Sequence, residues 1–167
     1  MGLRSWLARR REEPAPAVPS PPSEQDILAA LNRVHAMLVE GDAPAVVTSR
    51  VRRIARTISD TLPRLRHLGP GSADSYSVVA TATDYLPEAV GGYLRLPREW
   101  ADTRPVDGYK TSLMVLVDQL ELLAATMDKI LDAASRADAQ ALVAHGMFLQ
   151  AKFGPPGGTD LTLGSPT

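Results

Sequence analysis

The chain has 167 residues, 44% hydrophobic and 22% charged, the proportions of one ordinary globular domain with tails. Its 18 Lys and Arg balance 19 Asp and Glu, which excludes a globally basic nucleic-acid binder and an acidic disordered chain. Cysteine is absent, excluding disulfides and thiolate chemistry, and aromatics reach only 5%, so Ala, Leu and Val carry an apolar content suited to helices.

Residues 1–11 contain Arg4, Arg9, Arg10 and Arg11 and no acid, and Leu3, Trp6 and Leu7 share one face if the stretch is helical. Pro14, Pro16, Pro19, Pro21 and Pro22 follow, an extended spacer that has no means of forming a core. Residues 1–22 therefore read as a basic amphipathic start plus a Pro-rich linker. A helical bundle is expected over 23–153 and a flexible Gly/Pro-rich tail over 154–167. Ser23 and Asp26 make a near capping box for a first helix, with Ile27, Leu28, Leu31, Val34 and Leu38 on its face and Gly41 as its stop. Asp42 is the expected cap of the second helix, whose stripe runs Val47, Val51, Ile54, Ile58, Leu62 and Leu65 through a kink at Pro63.

After the Gly69–Ser72 turn, a third helix places Tyr76, Val79, Thr83, Leu86, Val90 and Tyr93 on one face and passes Pro87 with its register kept. Residues 98–110 have no period and read as a long connection, with Trp100 tucked into the bundle. Leu113, Leu116, Leu120, Leu123, Met127, Ile130 and Ala134 then form an unbroken 3-4 repeat led by Thr111 or Ser112 as cap. Asp138 reads as the N-cap of a separate last helix, with Ala141, Leu142, His145, Phe148, Leu149 and Phe153 facing inward. The expectation is an all-α antiparallel bundle of about five helices, three of them long and two with Pro kinks. Only residues 160–163 read as strand.

Catalytic chemistry has little to stand on. The three histidines, His35, His67 and His145, lie in no zinc or di-iron spacing, and there is no phosphate-binding GxxxxGK[ST]. His145 reads as a partly buried histidine rather than an acid/base, and no catalytic, cofactor-binding or metal-binding residue is assigned. Charge is uneven: eleven Arg face seven acids in residues 1–67, and seven bases face twelve acids in 68–167. Arg50, Arg52, Arg53 and Arg56, with Arg64 and Arg66, form a basic ridge on the second helix. Asp118, Glu121, Asp128 and Asp132 lie off the seam of the heptad helix. These are two solvated faces, a surface for an acidic partner, or two helices set as neighbours. The ridge lacks the interleaved aromatics of a nucleic-acid binder.

Leu3, Arg4, Trp6, Leu7, Arg9, Arg10 and Arg11 are the best candidates for a membrane or partner contact, because indole and guanidinium groups settle at headgroup depth. Four arginines at about 1 kcal/mol each give only a weak, reversible attachment to an anionic surface.

The run Thr83-Asp84-Tyr85-Leu86-Pro87-Glu88-Ala89-Val90-Gly91-Gly92-Tyr93 resembles a helix of the XpaC family, the bromo-chloro-indolyl phosphate hydrolysis proteins. Residues 113–153, with a phrase His145-Gly146-x-Phe148-Leu149, resemble it more loosely. The likeness implies a helical-bundle domain and an association with envelope or toxic-anion stress, and it brings no catalytic residues. A second likeness concerns the tail: Asp160, Leu161, Thr162 and Leu163, followed by Gly164 and Ser165, resemble the C-terminal loading peptides of encapsulin cargo. The leading expectation is a non-enzymatic adaptor, cytoplasmic and peripheral to the inner membrane face, with a protein partner, no cofactor and no nucleic acid. An encapsulated cargo protein and a cryptic hydrolase are the alternatives.

Overall fold

The computed structural model describes residues 21–69 and 71–154. The expectations placed on residues 1–11, on the first part of the linker and on 160–163 lie outside these residues. Helix α1 spans Glu24–Glu40 and α2 Ala45–Thr61; a tight turn at Leu62–Arg64 leads into the short α3, Leu65–Leu68. Next come α4 (Ala73–Ala80) and α5 (Leu86–Leu94), joined without interruption by a wide π turn at Thr81–Tyr85, then α6 (Arg98–Thr103). A short antiparallel hairpin pairs β1 (Pro105–Asp107) with β2 (Lys110–Thr111) and precedes α7 (Ser112–Phe153). The fold is all-α: four long rods at 24–40, 45–68, 73–94 and 112–153, and α6 as a fifth helical segment.

Local chemistry explains the boundaries. Ser23 and Asp26 form a complete capping box: the Asp26 amide donates to Ser23 Oγ at 3.2 Å, and the Ser23 amide donates to the Asp26 carboxylate at 2.8 Å. The Ser23 hydroxyl also donates to the Asp26 carboxylate at 2.7 Å, and this bond, followed by that from the Ser23 amide, holds the Asp26 carboxyl below its usual range. Thr111 caps α7 in the same way, accepting from the Met114 amide at 3.3 Å. Asp42 does not cap α2. It takes a positive φ of 45° in the turn after α1, a conformation Asp tolerates, and Pro44 occupies the cap position with no side-chain bond. Pro63 produces the expected deflection, a single 3-10 turn with Pro in its first positions, after which the chain returns to helix.

The third rod departs from its expected register. Proline at 87 has no N–H for the carbonyl four residues back, and the π turn that precedes it widens the coil by one residue. Ahead of that turn and within it the buried residues are therefore Val78, Ala80, Thr81 and Ala82, while Tyr76 is exposed and Val79 and Thr83 are only half-buried. Beyond it Leu86, Val90 and Tyr93 are buried as the spacing predicts. Two further corrections fall on residues 98–111. They hold a helix and a hairpin where a featureless connection was expected, with Gly108 at φ 57° in the hairpin turn. Trp100 is 44% exposed; Ala101 is the residue that enters the core.

One core joins the four rods, with Ile27, Val34, Val47, Ile54, Ile58, Val78, Leu86, Val90, Leu120 and Met127 all enclosed. Rods consecutive in the chain run in opposite directions. The pair that packs most extensively, α2 and α7, runs side by side in the same direction, as the rising order of its cross-links demonstrates: Arg50 with Glu121, Arg53 with Asp128, Arg64 with Asp138. Gly41 at the end of α1 meets Leu94 at the end of α5, and a Cβ on Gly41 would lie 2.8 Å from the Leu94 side chain. The bundle thus has two poles. One holds the ends of α1 and α5, α6 and the hairpin. The other holds the start of α1, the end of α2 with α3, and the start of α4.

Candidate functional site

The largest correction is at Asp138. No helix starts there. Helix α7 runs unbroken for 42 residues, about 63 Å at 1.5 Å per residue. Alanines at 133, 134, 137, 139, 141 and 144 favour continuation. The Asp138 carboxylate turns away from its own backbone, accepting from Arg64 Nε at 3.1 Å and lying 2.7 Å from His67 Nδ1. That cluster marks the level at which α2 and α3 finish. Residues 139–153 project past it as an arm about 22 Å long.

Among the described residues, the arm's expected inward face has nothing to face. Leu142 is 72% exposed and Phe153 73%, and Val143, Met147, Phe148 and Leu149 are also open to solvent. His145 is exposed too, with its ring 6.3 Å from that of Phe148. The Lys152 ammonium sits 5.6 Å from the Phe148 ring and 5.5 Å from the Phe153 ring, the one cation on an arm without acids. A helix apolar on nearly all sides belongs in a protein interior or a lipid phase. Contiguous apolar surface of this kind marks an interaction site. The heptad repeat signals a buried helix so clearly that its extension reads as buried as well. Counting helix lengths offered a cue, because no other rod is long enough to cover a 42-residue partner.

The basic ridge divides. Arg50 and Arg53 turn towards α7, with Arg50 3.6 Å from Glu121 and Arg53 2.5 Å from Asp128, while Thr57 donates to Asp128 at 3.2 Å. The two helices are therefore set as charge-matched neighbours. At one-third to one-half exposure such pairs fix register more than they stabilise, at about 0–1 kcal/mol each. Asp118 bonds Lys110 of the hairpin and holds its ammonium above the usual pKa, and Asp132 pairs with Arg136 on its own helix. Arg52 and Arg56 turn the other way, onto a groove of about 410 Å³ between α1 and α2 that His35 also lines. No Asp or Glu lines it, and its floor is apolar at Leu31 and Val51.

A second groove, about 550 Å³, opens between α5 and α7, with Gly92, Leu96, Val115 and Leu122 on its walls. Beside it Tyr93 donates to Asp102 at 2.7 Å, and burial, reinforced by that bond, pushes its phenol up to about 12. This contact ties α6 to the bundle. It closes a structural joint rather than presenting a reactive group.

Among the described residues no three His, Asp or Glu side chains converge in a way that could hold a metal ion, and no helix is long and apolar enough to cross a membrane. No family model, curated protein or solved structure matches the chain.

Proposed function

We propose that the chain is a non-enzymatic helical-bundle adaptor that works from one pole, with the arm of α7 as its docking element. The observation that carries this reading is the exposure of six large apolar side chains on a helix that outruns its bundle by fifteen residues. Leaving these side chains in water forgoes about 1.5–3 kcal/mol each, a cost that a docking element recovers on contact. The basic segment 1–11 is joined through the Pro-rich run to the start of α1, which lies at the same pole. Leu3, Trp6, Leu7 and the arginines Arg4, Arg9, Arg10 and Arg11 add a reversible attachment to an anionic surface, the inner membrane face in this proposal. The setting in envelope or toxic-anion stress rests on the resemblance of residues 83–93 to the XpaC family.

Co-sedimentation with vesicles containing anionic lipid tests the attachment. The full chain is expected in the pellet and a chain starting at Ser23 in the supernatant. Retention should fall with added salt, because surface attraction is screened beyond about 10 Å at 0.1 M. Equal retention of the two chains removes the N-terminal segment from the account.

A further inference from the structure

Resting on the reading of the arm as a docking element, we infer that its occupant is a second copy of this chain, the two arms crossing antiparallel around Gly146. Three observations converge on this occupant.

The first is the pattern along the arm. Leu142, Gly146, Leu149 and Phe153 recur at spacings of four, three and four, a three-turn stripe of the kind that seats one helix on another. Four residues before Leu142, Asp138 reaches the Arg64–His67 end of α2 and α3, so the stripe continues the side of α7 along which α2 lies. Above Asp138 that neighbour has ended. The stripe is the position of a missing helix.

The second is Gly146. Glycine in the middle of a helix costs about 1 kcal/mol relative to alanine. Nothing among the described residues accounts for it, since a Cβ there would meet none of their atoms within 4 Å. In an antiparallel pair with Leu142 opposite Phe153, Gly146 of each copy falls opposite Leu149 of the other. The bare backbone receives the leucine, and the smallest residue of the stripe meets a large one on both sides of the two-fold axis.

The third is space. A parallel pair through this stripe would drive the second bundle into the position of α2. An antiparallel pair sends it beyond the arm's tip, clear of the first, and lays each tip against the other's pole. The three large residues of the stripe, Leu142, Leu149 and Phe153, together expose nearly two whole side chains, roughly 350 Å² of apolar surface on each arm. Burying it on both copies removes on the order of 700 Å², the size of a weak, reversible protein–protein contact. A dimer with a micromolar dissociation constant is the expected strength, without a charge contribution, since the arm carries only Lys152 and no acid.

Sedimentation equilibrium of the full chain across the micromolar range should therefore report a monomer–dimer equilibrium. Leu149→Glu should raise the dissociation constant about a hundredfold, the effect of losing a central anchor. Its circular dichroism should still match the parent, because Leu149 lies outside the core. The absence of native cysteine permits a test of geometry with single thiols. An oxidised mixture of Gly146→Cys and Leu149→Cys chains should cross-link to each other faster than either does to itself. Preferential like-to-like linkage means a parallel pair and overturns the proposal. A chain that stays monomeric throughout the range also overturns it. In that event, loss of vesicle retention in Leu149→Glu would leave the docking reading standing with lipid as occupant. No change in retention would remove that reading as well.

Discussion

Leu120 and Leu122 lie two residues apart on α7 and differ only in the direction they face. Leu120 is 0% exposed and sits in the core shared with α2 and α5; Leu122 is 70% exposed. Replacing Leu120 with Ala removes three buried carbon atoms and leaves a cavity that the surrounding core fills only in part. Transfer and cavity terms together cost about 2–5 kcal/mol. Against a domain stability of about 5–15 kcal/mol, that is a large share of the total. Replacing Leu122 removes exposed atoms and substitutes the better helix former, so stability should stay within about 0.5 kcal/mol. Urea denaturation followed by circular dichroism separates the two. With a slope of about 2 kcal/mol per molar, the Leu120→Ala midpoint should fall by roughly 1–2 M while the slope stays constant, and the Leu122→Ala midpoint should not move measurably. Equal midpoints for the two variants would falsify the assignment of the seam, and with it the packing of α7 against α2.

Tyr93→Phe should cost about 1 kcal/mol at neutral pH by leaving Asp102 without its phenol donor. It should also remove an alkaline transition. The folded phenol is held up at about 12 against an ordinary value of 10.0, so its contribution is complete below about 10 and is lost as pH rises from there towards 12. A parent chain whose stability is flat across that window, or a variant that keeps the slope, contradicts the buried hydrogen bond. Ser23→Ala should lower the unfolding free energy by about 1 kcal/mol through loss of the α1 cap. The Asp26 carboxyl, lowered by Ser23, contributes stability above its ordinary pKa of 3.8 that disappears as pH falls further. The variant should therefore lose less stability on acidification than the parent, which parallel urea titrations at neutral and acid pH measure.

What the sequence made legible was everything that depends on the helical period in an unbroken α-helix. Ile27 to Leu38, Val47 to Leu62 and Leu116 to Ala134 follow the spacing, because a 3-4 recurrence of apolar residues has one low-energy arrangement in water; the exceptions are Leu28, 38% exposed beside buried Ile27, and Leu123, half-buried beside buried Ala124. The errors occur where the period itself changes or ends. A π turn inserts a residue without altering composition, so Tyr76 and Val79 were placed on the wrong face until the backbone fixed the phase. Asp138 has the chemistry of an N-cap, and only the arrival of Arg64 and His67 from another rod decides that its carboxylate turns outward. The candidate docking arm was misread for a related reason. Periodicity reports that a face is apolar; whether a neighbour covers it depends on the lengths of other helices.

The continuity of α7 has a consequence for how the arm comes to be ordered at all. A free helix of fifteen residues is marginal in water because its first turn must form at a statistical weight of about 10⁻³, equivalent to roughly 4 kcal/mol. Residues 139–153 never face that step. The turns that end at Asp138 are already wound and buried, and each arm residue merely adds one hydrogen bond to a helix begun elsewhere, up to Gly154 at φ 75°. The bundle thus serves as a template, and the arm's helicity is inherited from it. Order along α7 should decline towards Phe153 as amide protection passes from global unfolding to end fraying. A contact made at the tip would stiffen the arm progressively back towards the core.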